Sequence, residues 1–299
     1  MIKVIAVDMD GTLLNENHEI TPRTASVIKR AQKLGMRVVI ATGRFKKGAL
    51  GAIDGRIDNV DLLLNSGAEV EDRDGHVLGR HPISWPDLRA VAAFFEKYPE
   101  VGLKYNGFEK MAFIGTEDDF IQKALQDARI FNAGKTDEEI LANPNFGPRQ
   151  MIKNTNMFPN FETLEQNMEP IAKVFCFGAP ANRMVAIKEQ AAKELPQLAV
   201  ASSFPTNIEI TSLAGQKGPA LQEFIESLGY TMDEVIVFGD SLNDLSMMEM
   251  DFHTVAMANA DEEIKRVAKY MTKSNAEEGV AWAIEQLLDA DFYGLSARK

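Results

Sequence analysis

The strongest constraint on the fold is a pair of short apolar runs, each followed by an aspartate at a turn. Ile2 to Val7 is rich in β-branched residues and leads into Asp8, and Val235 to Phe238 leads through a glycine into Asp240. Runs of this kind are typical of buried strands in a parallel sheet. Because the carboxyl ends of parallel strands meet at one sheet edge, we expect both aspartates at that edge.

The segment after Asp8 completes a strand, helix, strand unit. Thr21 offers an N-cap and Gly35 a stop for an amphipathic helix between them. Arg37 to Ala41 then predicts a second strand, followed by Thr42. Crossovers of this kind are right-handed, so Thr42 is expected beside Asp8.

The same alternation returns near the C-terminus. Asn207 to Thr211 is strand-like, a helical pattern follows it, and His253 to Met257 predicts a later strand. We therefore predict that both ends of the chain contribute to one parallel sheet. The expected fold class is α/β, a doubly wound parallel sheet with an inserted α+β domain.

The middle of the chain has a different, α+β pattern. Paired strand-like runs, Gly102 to Tyr105 and Met111 to Ile114, lie among helical patterns, whereas Asn143 to Phe161 has no clear period and predicts a loop. We predict a catalytic core of residues 1–83 and 205–299 and an inserted domain of residues 84–204.

Charge and cysteine content limit the compartment and the partners. A formal net charge of −12 disfavours nucleic acid and anionic membranes, and the single cysteine, Cys176, excludes a disulfide framework. The sequence shows no signal-peptide pattern and no membrane span. We expect a cytoplasmic protein, a monomer or weak homodimer.

Asp8-Met9-Asp10-Gly11 places two carboxylates two residues apart at a strand end. One carboxylate can act as a nucleophile and the other as general acid and base when their environments differ. The alternative is that Asp10-Gly11 makes only a turn, with both acids solvated.

The second acidic segment is Gly239 to Asp244, which contains Asp240, Asn243 and Asp244. Carboxylates from both segments, with water, would give the oxygen-rich octahedral shell that Mg²⁺ requires, usually beside a phosphate substrate. The alternative is an ordinary helix cap.

Thr42, Gly43 and Lys217 supply groups that suit an anion. The Thr42 hydroxyl and the Gly43 N–H can donate to a phosphate oxygen, and the Lys217 ammonium precedes a predicted helix at the same edge. Taken singly, Thr42 could be a cap and Lys217 a surface charge.

In order along the chain, DMDGTLL, ATGR, the lysine of GQKG and GDSLND resemble the four motifs of the haloacid dehalogenase superfamily. The large insertion between the second and third motifs resembles Cof-type sugar phosphatases with a type IIB cap. That resemblance implies that the protein hydrolyses a small phosphorylated metabolite. It also implies a cap that closes over the site and selects the substrate.

The resemblance also implies roles for the two N-terminal acids. Asp8 would attack phosphorus, form an aspartyl-phosphate and ligate Mg²⁺. Asp10 would protonate the leaving alcohol and then activate water, and its backbone carbonyl would bind the metal.

The remaining motif residues would hold the phosphate and the metal. The resemblance implies that Thr42, Lys217 and Asn243 contact the phosphate, that Asp240 ligates Mg²⁺, and that Asp244 supports that shell. One departure is Ser66, which stands where family members often have asparagine.

Two other functions remain open at this stage. A phosphotransferase or phosphomutase of the phosphomannomutase kind would share the nucleophile motif. A catalytically silent phospholigand-binding protein would keep the binding groups alone, although the complete acidic set favours an enzyme.

Overall fold

The computed structural model describes residues 1–132, 134–142, 151–289 and 296–297 of the chain. In chain order the strands are β1 (Val4–Asp8), β2 (Arg37–Ala41), β3 (Asp61–Leu64), β4 (Glu69–Glu71), β5 (Val77–Arg80), β6 (Gly102–Asn106), β7 (Met111–Ile114), β8 (Thr155–Phe158), β9 (Lys173–Phe177), β10 (Leu198–Ala201), β11 (Ile208–Ser212), β12 (Val235–Gly239), β13 (His253–Ala256), β14 (Tyr270–Met271) and β15 (Ser296–Ala297).

Helices connect most of these strands, and none of those described is long and apolar enough to cross a membrane. In chain order they are α1 (Pro22–Lys33), α2 (Lys46–Ile53), α3 (Trp85–Phe95), α4 (Glu117–Phe131), α5 (Asp137–Ala142), α6 (Phe161–Asn167), α7 (Ala181–Glu194), α8 (Lys217–Ser227), α9 (Leu245–Met248), α10 (Glu262–Val267) and α11 (Gly279–Leu288). Single 3-10 turns occupy Met232–Glu234 and Leu242–Asp244.

The chain divides into two compact units, and the first contains Met1–His81 and Ala214–Lys299. Its sheet has the order β15-β14-β13-β12-β1-β2-β3-β4-β5, with parallel pairing from β14 to β3. Strand order reverses at β1, which lies between β2 and β12. The predicted doubly wound α/β class is confirmed, and ligands of such sheets bind where the order reverses.

Local sequence explains the central elements of this unit. Every residue of β1 and β12 is buried, as expected for strands covered on both faces. Helix α1 begins where predicted: the Thr21 side chain accepts a hydrogen bond from the Thr24 N–H, and Pro22 occupies the first turn. The helix packs against α11, and one apolar core joins these elements.

The second unit, Pro82–Leu213, contains a six-stranded sheet with the order β10-β11-β9-β6-β7-β8. Its pairs are antiparallel except β7 with β8. One face packs through an apolar core against α3, α6 and α7. The predicted pairing of the runs that became β6 and β7 is confirmed.

The prediction that Asn207 to Thr211 joins the parallel sheet is wrong. Strand β11 instead pairs antiparallel with β9 and β10 in the second unit. Its alternation of apolar Ile208 and Ile210 with polar Glu209 and Thr211 suits an antiparallel strand with one apolar face. Along the sequence, the boundaries of the second unit therefore lie between residues 81 and 82 and between residues 213 and 214. The sequence had predicted these boundaries between 83 and 84 and between 204 and 205.

The loop predicted over Asn143 to Phe161 is wrong in its second half. Residues 143–150 lie outside the described part of the chain, but Thr155–Phe158 forms β8 on the edge of the second sheet. Pairing with β7 supplies the backbone hydrogen bonds of β8. The local sequence has no periodicity that predicts this strand.

Candidate active site

The candidate site lies at the carboxyl edge of the parallel sheet, on both sides of the point where strand order reverses. Asp8 ends β1, Thr42 follows β2, and Asp240 follows β12. Registers pair Asp8 with Ala41 and Val7 with Phe238, so the three strands end at the same level. The topology thus brings side chains from distant segments to one edge.

The turn after Asp8 is a short π-helical segment, Met9–Leu13, broken inside by non-helical backbone. Gly11 has φ +82°, and a Cβ there would lie 2.3 Å from Asp240 Oδ2. Thr12 Oγ1 donates to Asp240 Oδ1 at 2.7 Å. Glycine is therefore required at position 11 both by backbone conformation and by the Asp240 carboxylate.

Gly11→Ala is expected to displace Asp240 and lower catalytic activity at least about tenfold, on top of roughly 1–2 kcal/mol of left-handed backbone strain. Gly35→Ala is the matched control, because Gly35 has φ +89° but no neighbouring atom within 4 Å of a Cβ. Urea denaturation of both variants measures the cost of backbone strain, which they share. Steady-state kinetics measures the effect of the clash with Asp240, which only Gly11→Ala has. Equal activities in the two variants would contradict this role of Gly11.

Lys217, the first residue of α8, joins the two acidic segments. Its ammonium is fully buried and donates to Asp8 Oδ1 at 2.5 Å and to Asp244 Oδ1 at 2.7 Å. The other Asp244 oxygen accepts from the N–H groups of Asp240 and Ser241, at 3.0 and 3.1 Å. Lys217 is thus a buried counter-ion for two carboxylates.

The loop after β3 fixes the start of α8. Gly67 has φ +107°, and a Cβ there would lie 2.5 Å from the carbonyl carbon and oxygen of Gln216, the residue before Lys217. Ser66, with φ +66°, donates its N–H to the Thr42 carbonyl. Asn65 beside it is fully buried, and neither of its side-chain amide atoms has a hydrogen-bond partner in the described chain.

Burial perturbs the titration of these groups. The pKa of Asp8 is raised well above its usual range by burial and by Asp244 and Asp240, against the opposing effect of Lys217. Burial and Asp244 raise the pKa of Asp240 to about 7. Burial alone would lower the pKa of Lys217, but the attraction of Asp244 and Asp8 outweighs it and raises that pKa.

The same groups fit a divalent cation. Oxygens of Asp8, Asp240 and Asp244 lie within 4.8 Å of one another, and Asp8 Oδ2 is buried with no hydrogen-bond partner in the described chain. With all three carboxylates ionised, one ammonium leaves two negative charges, and a bound cation would compensate them and favour that ionised form. Oxygen donors of this type suit Mg²⁺.

Asp10 lies apart from that buried cluster. Its side chain is 37% exposed, and both of its oxygens accept from Arg44, from Nε at 2.8 Å and from Nη2 at 2.5 Å. The ion pair with Asp10 raises the pKa of Arg44. The carboxylates predicted for nucleophile and acid/base therefore have different surroundings, the condition for a division of roles.

The other predicted residues surround the cluster. Thr42 is fully buried, and its Oγ1 accepts from the N–H of Arg44 at 3.2 Å, with Gly43 between them. Asn243 Oδ1 accepts from Ser241 Oγ at 2.8 Å and lies 3.5 Å from the Lys217 ammonium.

Sequence reasoning assigned no role to several residues that hold the site. Arg44 binds Asp10, and Thr12 binds Asp240. Asn259 Nδ2 donates to the Gly11 carbonyl at 2.8 Å, and Asn275 Nδ2 donates to the Leu14 carbonyl at 2.9 Å. Arg44 and Thr12 stand inside the motifs ATGR and DMDGTLL, which was the available signal for these two residues.

The edge of the parallel sheet holds a partly exposed carboxylate, a buried carboxylate paired with lysine, and an acidic cluster that could hold a metal ion. This arrangement suits phosphoryl transfer. Residues 5–284 match the family model described as haloacid dehalogenase-like hydrolase. The chain belongs to this family.

Relatives with curated names are phosphatases, and this chain is a phosphatase of the same superfamily. The 5-amino-6-(5-phospho-D-ribitylamino)uracil phosphatase YwtE of Bacillus subtilis is 30% identical, over 97% of this chain and 100% of the relative. Phosphatase YwpJ of B. subtilis is 27% identical, over 96% and 100%. Pyridoxal phosphate phosphatase YbhA of Escherichia coli is 21% identical, over 93% and 96%.

Solved structures share the fold. A haloacid dehalogenase-like hydrolase from B. subtilis superposes with a TM-score of 0.78 at 24% identity, covering 96% of this chain and 100% of that one. The HAD subclass IIB sugar phosphatase BT4131 gives 0.71 at 22% identity, covering 95% and 98%. The predicted superfamily is confirmed by the family model, and these structures share its fold.

Proposed function

We propose that the protein is a Mg²⁺-dependent phosphatase that hydrolyses small phosphomonoesters through an aspartyl-phosphate on Asp8. The observation that carries the proposal is the Asp8 carboxylate: Lys217 holds one oxygen, and the other is buried without a hydrogen-bond partner in the described chain. A buried carboxylate with an uncommitted oxygen is unfavourable unless a ligand compensates it.

The first step breaks the ester bond. The Asp8 carboxylate attacks phosphorus, and the bond from phosphorus to the ester oxygen breaks. Asp10, released from its ion pair with Arg44 and protonated when the substrate binds, gives its proton to the departing alkoxide. Asp10 suits this role because its side chain is partly exposed, so an ester oxygen can reach it.

The second step releases phosphate. Asp10, now a carboxylate, takes a proton from water, whose oxygen attacks phosphorus and displaces Asp8. Thr42, Gly43 and Asn243 orient the phosphoryl oxygens, and Lys217 offsets their charge. In-line positioning and charge neutralisation account for most of the catalysis of such transfers.

Asp8, Asp240 and Asp244, with the Asp10 carbonyl, would hold Mg²⁺, which supplies positive charge against the phosphoryl oxygens. The chain itself prepares that site, because Thr12 orients Asp240 and two backbone N–H groups orient Asp244. Second contacts of this kind fix ligand direction.

Removing Mg²⁺ tests this proposal. We expect EDTA to abolish phosphate release from p-nitrophenyl phosphate and added Mg²⁺ to restore it. Saturating Mg²⁺ should also raise the melting temperature, because an ion at about 100 times its Kd stabilises the folded state by about 2.7 kcal/mol. Full activity in EDTA, or transfer of phosphate to a second sugar without net release, would contradict hydrolysis with Mg²⁺.

We also propose that the second unit selects the substrate, as the type IIB resemblance implies. The named relatives act on a phosphoribitylaminouracil and on pyridoxal phosphate, and a structural neighbour is a sugar phosphatase. These are all small phosphate esters. A panel of such esters, assayed with the purified full-length chain, tests whether this protein shares that range.

A further inference from the structure

The turn after Asp8 is held by a distant loop of the same unit. That loop, residues 257–261, follows β13, which pairs in parallel with β12. The side chain of Asn259 in the loop donates from Nδ2 to the Gly11 carbonyl at 2.8 Å. The two residues are 248 positions apart in the sequence, so this contact depends on the fold of the whole first unit.

A second asparagine extends this contact. The Asn259 Oδ1 atom accepts from the backbone N–H of Asn275 at 2.9 Å, and the Asn275 Nδ2 atom donates to the Leu14 carbonyl at 2.9 Å. The two side chains therefore hold the chain at Gly11 and at Leu14, on both sides of Thr12. We call Asn259 and Asn275 the amide clamp.

The loop also reaches the second acidic segment. The Asp261 N–H donates to the Asp240 carbonyl at 2.8 Å, and the Asp240 carboxylate accepts from the Thr12 hydroxyl that the clamp encloses, at 2.7 Å. Residues 257–261 thus contact both turns that carry the acidic cluster, the one after β1 and the one after β12. The position of Asn259 therefore influences the separation of Asp240 from Asp8.

The loop is itself anchored at both ends. It begins directly after Ala256, which pairs with Gly239 in the sheet. It ends at Asp261, the N-cap of α10, whose Oδ1 accepts from the Glu263 N–H at 2.9 Å. Because both ends are fixed in this way, Asn259 can hold the turn after Asp8 against displacement.

An amide suits this position chemically. Asparagine donates and accepts hydrogen bonds without adding charge. A lysine or arginine in its place would bring a positive charge near the cluster of Asp8, Asp240 and Asp244, where it would compete with a metal ion for the carboxylates.

We propose that Asn259 is a positioning residue for the divalent-cation site: through the amide clamp and Thr12 it fixes the Asp240 carboxylate relative to Asp8. This inference rests on the proposed Mg²⁺-dependent function and extends it to a loop that supplies neither a proposed metal ligand nor a reacting group. Groups that direct a metal ligand are typically worth 10- to 100-fold in metal affinity or activity.

Isothermal titration calorimetry of the full-length chain with Mg²⁺ alone tests the proposal without substrate or turnover. We expect Asn259→Ala to raise the Kd for Mg²⁺ about 10- to 100-fold, because the Asp240 carboxylate is no longer held in place. The melting temperature in EDTA should fall by only about 2–4 °C, since one exposed hydrogen bond is lost.

Asn167→Ala is the matched control. The Asn167 Nδ2 atom also donates to a backbone carbonyl at 2.8 Å, that of Thr163, at an exposed position of the second unit. This variant should keep the Kd for Mg²⁺ within about twofold. A large fall in the melting temperature of Asn259→Ala with an unchanged Kd would identify a structural role and overturn the proposal.

Asn259→Asp separates positioning from charge. The new carboxylate can still accept from the Asn275 N–H, but it cannot donate to the Gly11 carbonyl. If the charge near the site governed binding, an added carboxylate would tighten Mg²⁺ binding. Loss of the clamp predicts weaker binding, as in Asn259→Ala, so tighter binding would overturn the proposal.

A double-substitution cycle tests the route through Thr12. Thr12→Val removes the hydroxyl that donates to Asp240 and should itself weaken Mg²⁺ binding. Because residues in one network of contacts are not additive, adding Asn259→Ala to Thr12→Val should weaken binding no further. Additive effects of the two substitutions would overturn this route.

Failure of the proposed function can be distinguished from failure of this inference. An unsubstituted chain that binds no Mg²⁺ would refute the Mg²⁺-dependent function, and this inference with it. Mg²⁺ binding with equal Kd values for the unsubstituted chain and Asn259→Ala would overturn the inference alone.

Discussion

Asp8→Asn is expected to reduce kcat for p-nitrophenyl phosphate by roughly 10⁴-fold or more, because the amide cannot form the acyl-phosphate. The substitution is close to isosteric, and Lys217 keeps its hydrogen bond to Asp244. Loss of activity should therefore come with a folded protein. Steady-state kinetics, with the melting temperature as a check on folding, measures both.

The matched control for that prediction is Asp58→Asn, the same chemical change at an exposed position of the first unit. It should keep the activity and the melting temperature of the unsubstituted chain. Residual activity in Asp8→Asn within about tenfold of the starting protein would exclude Asp8 as the nucleophile, since direct participation is worth far more than that factor.

Lys217→Met is expected to have the largest effect on stability. Removing the ammonium leaves Asp8 Oδ1 and Asp244 Oδ1 buried without their common donor. Breaking a buried ion pair by removing one partner destabilises a protein by about 3–5 kcal/mol. Activity should fall about 10²- to 10³-fold as well, because the lost charge also faces the phosphoryl group in the proposed mechanism.

Urea denaturation near neutral pH, with and without Mg²⁺, measures this effect. Mg²⁺ should recover part of the stability lost in Lys217→Met, since it offsets the same carboxylates. Lys29→Met, at an exposed position on α1, is the control and should change the free energy of unfolding by no more than about 0.5 kcal/mol. Equal free energies of unfolding for both variants would show that the Lys217 ammonium does not stabilise the fold by neutralising Asp8 and Asp244.

Much of the fold was predictable because its signals are local. The strands that carry Asp8, Thr42 and Asp240 follow from short apolar runs with turn residues behind them, and α1 follows from its cap. The prediction for β11 was wrong because a local strand-like run does not indicate which sheet the strand joins. Its alternating polarity was the better indicator, and it pointed to the antiparallel sheet where β11 lies.

The sequence predicted which residues belong to the candidate site better than it predicted which of them contact one another. The motifs brought Asp8, Asp240, Asp244 and Lys217 into one set, and the structure brings these four side chains together. Their catalytic roles stay predictions. The pairing of Asp10 with Arg44 needed coordinates, because an arginine in a loop has several reachable acids.

The sequence by itself determined the parallel sheet, the inserted unit and the acidic residues at the strand ends, since apolar runs and turn chemistry act over a few residues. Only the tertiary structure decided which atoms meet. Thr12 reaches Asp240 across 228 residues and Lys217 reaches Asp8 across 209. Such contacts depend on how whole elements pack, and packing is a cooperative property of the entire core that no local pattern contains.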